Sequence, residues 1–233
     1  MNLLDQPVGH LARDLPGATR VFHDYHIDFC CGGRATLRQA LAEQGLGDDS
    51  PHAKALIEAL AALPAQSHDE RDWRQATPSE LIDHILVRYH QVHRQQLSEL
   101  LRLARRVEQV HGDKLDCPNG LADHLDTMRQ EMESHMQKEE QILFPMLKRG
   151  LVDQAQGPIA VMRHEHDDHG AALERLMALT HDITTPKGAC TTWRALYAGL
   201  RELRDDLMEH IHLENNILFE DRIAPSVGEV QHG

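Results

Sequence analysis

Aromatic side chains are scarce in this 233-residue chain: two Trp, three Tyr and four Phe, or 4%. Few β-branched runs accompany them, so sheets, which draw on both residue types, are disfavoured and helices are expected. Positive charge is short as well. Twenty-four Lys and Arg face 37 Asp and Glu, a formal charge of -13, and neither a nucleic-acid backbone nor an anionic membrane surface attracts such a chain. No apolar run is long enough to span a bilayer. Met1 to Pro7 carries no basic segment followed by an apolar one, so no secretory signal is expected. Cysteines number only four, Cys30, Cys31, Cys117 and Cys190. Two of them adjacent make a poor disulfide framework, and a reducing, cytoplasmic setting is expected. There is no Gly-rich phosphate loop, no Ser-His-Asp order and no Cys-x-x-Cys pair. His164-Glu165-His166 lacks the spacing of H-E-x-x-H, which excludes the zinc-protease reading.

What the chain has in excess is histidine, 18 residues. Two of them open a phrase that occurs twice. His135-x-x-x-Glu139-x-x-Ile142-Leu143-Phe144 and His210-x-x-x-Glu214-x-x-Ile217-Leu218-Phe219 both read H-x-x-x-E-x-x-I-L-F. Residues four apart share one face of a helix, so each phrase aims an imidazole and a carboxylate at one point. Two nitrogens and two carboxylates suit iron or manganese.

The hydrophobic content of 41% is enough to fill a core. Residues 1–65 read as a small module of short helices with a glycine-bearing corner, Asp28-Phe29-Cys30-Cys31-Gly32-Gly33. Residues 66–77 read as a polar linker. Residues 78–222 read as four long amphipathic helices, with 223–233 as a C-terminal tail. The first long helix opens with Thr77 as N-cap, Pro78 at the first position and Glu80 at the third, a capping box. Its stripe runs Leu86, His90, His93, Leu97, Leu100. The second carries Met128, Met132, His135, Glu139, Ile142, Met146. A break is expected over Gly150 to Pro158, after which the third carries Ile159, Met162, His166, His169, Leu173. The fourth carries Leu203, Leu207, His210, Glu214, Ile217. Four such stripes joined by short loops predict an all-α fold: an up-down-up-down four-helix bundle preceded by a small helical domain.

His90, His135, Glu139, His166, His210 and Glu214 all fall on stripe positions, where a lone carboxylate costs several kcal/mol (about 3 or more). In an antiparallel bundle they lie at one end and converge in one layer. The first and third helices also repeat, His90-x-x-His93 against His166-x-x-His169. Two metal ions bridged by Glu139 and Glu214, each taking two histidines, are expected, with positions left open for a small ligand such as dioxygen, nitric oxide, peroxide or water. His93 and His169 are expected as ligands, outer-layer donors or polar core residues. His23, His124 and His212 are among those expected to be solvated or to cap helices. Glu131, Glu133 and Glu140 are expected to point to other faces. Cys30 and Cys31 read either as packing at a turn or as a thiol relay for iron, and Cys117 and Cys190 as incidental.

The bundle resembles hemerythrin-like di-iron domains. The whole chain resembles the RIC family of iron-sulfur cluster repair proteins, with a ScdA-type cysteine module at the N-terminus. The Asp28–Gly33 corner, Val87-Arg88-Tyr89-His90, Ser134 to Pro145, Glu165-His166-Asp167, Ala189-Cys190-Thr191-Thr192-Trp193 and Leu213-Glu214-Asn215-Asn216 carry this resemblance. It implies iron held by the same six residues, notable thiols at Cys30 and Cys31, a cytoplasmic and often dimeric protein, and damaged iron-sulfur proteins as partners. Oxygen-carrying hemerythrins end in His-x-x-x-x-Asp; the last motif here is His-x-x-x-Glu, which argues against plain oxygen carriage. Repair of clusters damaged by nitric oxide or peroxide, by supplying iron, is the expected function. A di-iron nitric oxide reductase or peroxidase and a gas or redox sensor are the alternatives.

Overall fold

The computed structural model describes residues 2–63 and 71–219. Among these, eight helices and no strand occur. Four short ones form the N-terminal module: α1 (Val8–Asp14), α2 (Ala18–Asp24), α3 (Leu37–Glu43) and α4 (Pro51–Ala61). Four long ones form the bundle: α5 (78–111), α6 (121–148), α7 (Val152–Leu179) and α8 (191–218). The chain is all-α, as its stripes predict. None of the described helices is long and apolar enough to cross a membrane. Part of the expected linker and all of the expected tail lie outside the described residues. The described stretch ahead of α5 forms one turn, Trp73–Gln75, and Trp73 stacks on His84 with ring centroids 4.1 Å apart.

Caps set the helix starts. At α5 the Thr77 side chain accepts from the Glu80 N–H, and the Glu80 carboxylate accepts from the Thr77 N–H, so two otherwise unpaired donors are satisfied. Thr36 and Gln39 do the same for α3. Ser50 caps α4, with Pro51 at its first position. In the bundle α5 packs against α6 and α8, and α7 packs against α6. One apolar core runs from Val8, Phe22, Phe29 and Leu41 of the module into Leu97, Leu125, Met132 and Leu203 of the bundle. Each such buried side chain contributes roughly 1.5–3 kcal/mol, so the module is held against the bundle by the same force that closes the bundle.

Two expectations are corrected. α7 begins at Val152 and runs through Pro158, so the break is confined to residues 149–151 and residues 152–158 are helical. The proline ring displaces the carbonyl of Gln154, an exposed residue whose carbonyl water can satisfy. The second correction is a change of register. Helices α5, α6 and α8 each contain one π turn, Leu86–His90, Glu139–Leu143 and Glu214–Leu218. The Phe144 N–H bonds to the Glu139 carbonyl and the Phe219 N–H to the Glu214 carbonyl, five residues back in each case. The extra residue moves the apolar stripe of α6 on by one. Ile142, expected inside, is 53% exposed, while Leu143, Phe144 and Leu147 are buried.

Candidate metal centre

All three π turns touch the residues of interest: one ends at His90, one begins at Glu139 and one at Glu214. Such wide turns are a recurrent device at functional sites, because they re-aim side chains within an otherwise regular helix. The structure brings all six residues together, and each is buried to within 3%. Their ligand atoms form two four-donor sets: His90, His210, Glu139 and Glu214 in one, and His135, His166, Glu139 and Glu214 in the other. Both carboxylates belong to both sets. The histidines pair across the two halves of the repeat, a choice that the repeat itself left open.

The outer nitrogens of three of the four histidines are fixed by acceptors. His90 Nδ1 lies 2.8 Å from Glu140 Oε1, and His135 Nδ1 lies 2.9 Å from Glu165 Oε2. His166 Nδ1 lies 3.0 Å from Asn215 Oδ1, whose amide nitrogen donates to the Cys30 carbonyl. Carboxylates and an amide oxygen only accept, so each of these Nδ1 atoms carries the proton, and each Nε2 presents a bare lone pair inward. Arg94 supports Glu140 at 3.0 Å, and Lys138 supports Glu165.

The interior therefore faces acceptor against acceptor. The Nε2 atoms of His135 and His166 are 3.2 Å apart. Glu139 Oε2 lies 3.4 Å from Nε2 of both His90 and His135, while Glu214 lies 3.1 Å from His166 and 3.2 Å from His210. His90 Nε2, both Glu139 oxygens and Glu214 Oε2 have no hydrogen-bond partner. Bonds of about 2.1 Å place neighbouring ligand atoms roughly 3.0–3.4 Å apart, which is the spacing found. Buried lone pairs without donors, at that spacing, fit cations.

Charge balance points the same way. Burial, then the facing Glu214, pushes the Glu139 carboxyl well above the usual range. Burial works against ionisation of Glu214 too, but His210 and His166 hold its carboxyl well below that range. Burial, then His210, lowers His90 to about 4, and burial, then His166, lowers His135 well below normal. A cluster in which one carboxyl is driven neutral and His90 and His135 resist protonation holds little positive charge of its own. Divalent cations would supply it.

His93 and His169 are buried beside the two sets but belong to neither. The His93 ring lies 5.3 Å from His210, and the His169 ring 4.9 Å from His135. Tyr89 stacks on His210 at 5.4 Å.

Three residues of the outer layer escaped the sequence reading. Glu140 was expected on another face, yet it bonds His90; Glu165 and Asn215 were not singled out for the site. Their signal was adjacency, since each stands next in sequence to a ligand candidate: Glu139-Glu140, Glu165-His166, Glu214-Asn215. His212 was expected in solvent or at a helix cap and is buried inside α8. It accepts from Asn216 Nδ2 at 2.9 Å and meets the Phe29 ring edge-on.

The thiol corner lies against this end of the bundle. Cys30 is buried and Cys31 partly buried. The hydrogen bond shared with Cys31, then burial, pushes the Cys30 thiol well up. Asn216 Nδ2 donates to the Phe29 carbonyl, and Gly9 packs so close that a Cβ there would meet Asn216 Oδ1 at 2.4 Å. Cys117 and Cys190 lie elsewhere, Cys190 with its sulfur 3.3 Å from His111 Nε2.

A four-helix bundle with paired histidine–carboxylate sets in its interior defines a hemerythrin-like metal-binding protein, and residues 81–221 match the Hemerythrin HHE cation binding domain. Residues 4–63 match ScdA_N, a domain of unknown function. The chain is 51% identical over 224 residues to the iron-sulfur cluster repair protein YtfE of Citrobacter koseri, covering 96% of this chain and 99% of the relative. It is 52% identical to that of Edwardsiella ictaluri and 51% to that of Dickeya chrysanthemi, each match covering 94% of this chain and 97% of the relative. The chain belongs to the YtfE family of iron-sulfur cluster repair proteins.

Proposed function

We propose that this protein holds two iron ions and restores iron-sulfur clusters damaged by nitric oxide or peroxide, with iron as its cargo. The carrying observation is the pair of buried four-donor sets that share Glu139 and Glu214. His90 and His210 would complete one ion's protein ligands and His135 and His166 the other's, with both carboxylates bridging. Bound iron supplies ligand exchange and one-electron redox chemistry at the positions the protein leaves open. The chain's own part is orientation and exclusion of water. Glu140, Glu165 and Asn215 keep the imidazoles of His90, His135 and His166 in the tautomer whose Nε2 faces inward. Leu143, Phe144, Leu213 and Phe219 bury the layer. Cys30 and Cys31, docked beside His166, are the relay toward the damaged iron-sulfur protein.

The test is reconstitution of a nitric-oxide-damaged dehydratase by the iron-loaded protein. Dehydratase activity is expected to return with loss of iron from the donor, and to return far more slowly with the C30S/C31S variant. No recovery with loaded protein sinks the reading. Many turnovers of nitric oxide to nitrous oxide per chain, with a reductant supplied and no iron lost, would instead make the protein a di-iron reductase.

A further inference from the structure

Asp28, Cys30 and Cys31 form a third group of ligand-type atoms, all within 4.8 Å of one another. Asp28 Oδ1 accepts from the N–H groups of Cys30 and Cys31, both at 3.0 Å, and Oδ2 accepts from the Gly32 N–H at 2.8 Å. The carboxylate is thereby pinned across its own corner. Oδ1 lies 3.2 Å from the Cys30 sulfur, and the two sulfurs are 3.5 Å apart. Cys31 Sγ lies 3.1 Å from the backbone carbonyl oxygen of His166. Two sulfurs and one carboxylate oxygen thus cluster on the module side, and a carbonyl oxygen of the bundle meets one of the sulfurs.

From this arrangement we infer a second, mononuclear cation site, formed by Asp28, Cys30 and Cys31 against the His166 carbonyl, for one borderline or soft divalent ion such as Fe2+ or Zn2+. Bonds of about 2.3 Å to sulfur and about 2.1 Å to oxygen place tetrahedral neighbours roughly 3.6–3.8 Å apart. The three separations above, 3.2, 3.5 and 3.1 Å, fall short of this by about half an ångström or less. Gly170 lets Cys31 dock this closely on the bundle: a Cβ there would stand 3.1 Å from its sulfur. A cavity of about 140 Å³, lined by Asp28, Cys30 and Gly170 among others, opens beside the corner. It is roomy enough for an ion to arrive with water. Thiolates select against calcium and magnesium. Binding releases both thiol protons to solvent, and the divalent ion then faces two thiolates and one carboxylate.

The site is joined to the di-metal layer through one residue. The His166 carbonyl faces Cys31, and the His166 ring is fixed by Asn215, which also holds the Cys30 carbonyl. As a binding site it stands on its own geometry; its part in delivery, as the first station for iron leaving the bundle, rests on the repair reading above.

The test uses the full chain with its di-metal centre loaded, titrated anaerobically with Co2+ under reducing conditions. One further cobalt per chain is expected, with thiolate-to-cobalt charge-transfer absorption in the near ultraviolet. C30S/C31S is expected to abolish that band, D28N to weaken binding at least about tenfold, and C117S/C190S to leave it unchanged. Protection needs no variant: Zn2+ is expected to shield Cys30 and Cys31, but not Cys190, from alkylation read by peptide mass. A band that survives C30S/C31S, or no thiolate band together with no zinc protection, overturns the site. A missing third ion in chains whose di-metal centre is full overturns this site alone. A thiolate band in chains that take up no di-metal centre when iron is supplied overturns the repair reading alone.

Discussion

The sulfur of Cys31 donates to the backbone carbonyl of His166, 135 positions away, at 3.1 Å. Asn215 makes the complementary link, accepting from the His166 ring at 3.0 Å and donating to the Cys30 carbonyl at 3.1 Å. The thiol corner and a metal-facing imidazole are therefore braced by the same side chain, Asn215. An Asn215→Ala change strips the acceptor from one and the donor from the other. Metal affinity is expected to fall about 10–100-fold and unfolding stability by about 1–3 kcal/mol. Chelator competition and urea unfolding read these two losses. Unchanged affinity would show that the brace does not reach the metal layer.

Sharing of carboxylates makes a sharper prediction about stoichiometry. Glu139 and Glu214 each belong to both four-donor sets, whereas His90 belongs to one. Glu139→Gln or Glu214→Gln is expected to weaken both ions together. His90→Ala is expected to empty one set and spare the other, leaving about one ion in place of two, as expected for bridging ligands. Elemental analysis of the purified variants decides the matter. Equal losses from His90→Ala and Glu139→Gln would argue against bridging.

Acid should weaken the metal-free chain at the joint between module and bundle. Burial, then Arg13, lowers His212 from 6.5 to about 4. Folding thus opposes its protonation, and the unfolded chain binds the proton first. The stability is present above pH 6.5 and is lost as pH falls toward 4, about 3 kcal/mol for such a shift. Protonation also turns Nδ1 from the acceptor of Asn216 into a donor, which breaks that contact. Urea midpoints of metal-free protein between pH 7.5 and 4.5 should fall steadily, and a His212→Gln variant should show a shallower fall. Identical slopes would place the acid sensitivity elsewhere.

Much of this site could be read from spacing alone. A carboxylate and an imidazole four residues apart on an apolar stripe, twice over, have few uses other than holding a cation, so the six inward residues were legible. The all-α fold was legible for the same reason, since amphipathic period and capping box are local. The register after each π turn was not. A π turn changes which residue faces inward without leaving any mark in the hydrophobic pattern, and H-x-x-x-E-x-x-I-L-F reads equally well as regular α-helix. The docking of Cys30 and Cys31 on His166 was also hidden, because contacts made by backbone carbonyls and Asn215 carry no periodic signal.

The π turn of α6 can be tested by stability alone. An uninterrupted α-helix would put Ile142 on the stripe with Glu139 and Met146. In the structure Ile142 is 53% exposed and Leu143 is 1% exposed. Ile142→Ser is accordingly expected to change unfolding free energy by no more than about 0.5 kcal/mol. Leu143→Ala is expected to cost about 2–5 kcal/mol, since it opens a cavity beside Phe144 and Leu147. Both variants keep every metal-facing side chain, so metal content serves as the control for folding. The reverse order of the two losses would mean that the helix runs regularly past Glu139, and that the carboxylate reaches both ion sets without the wide turn.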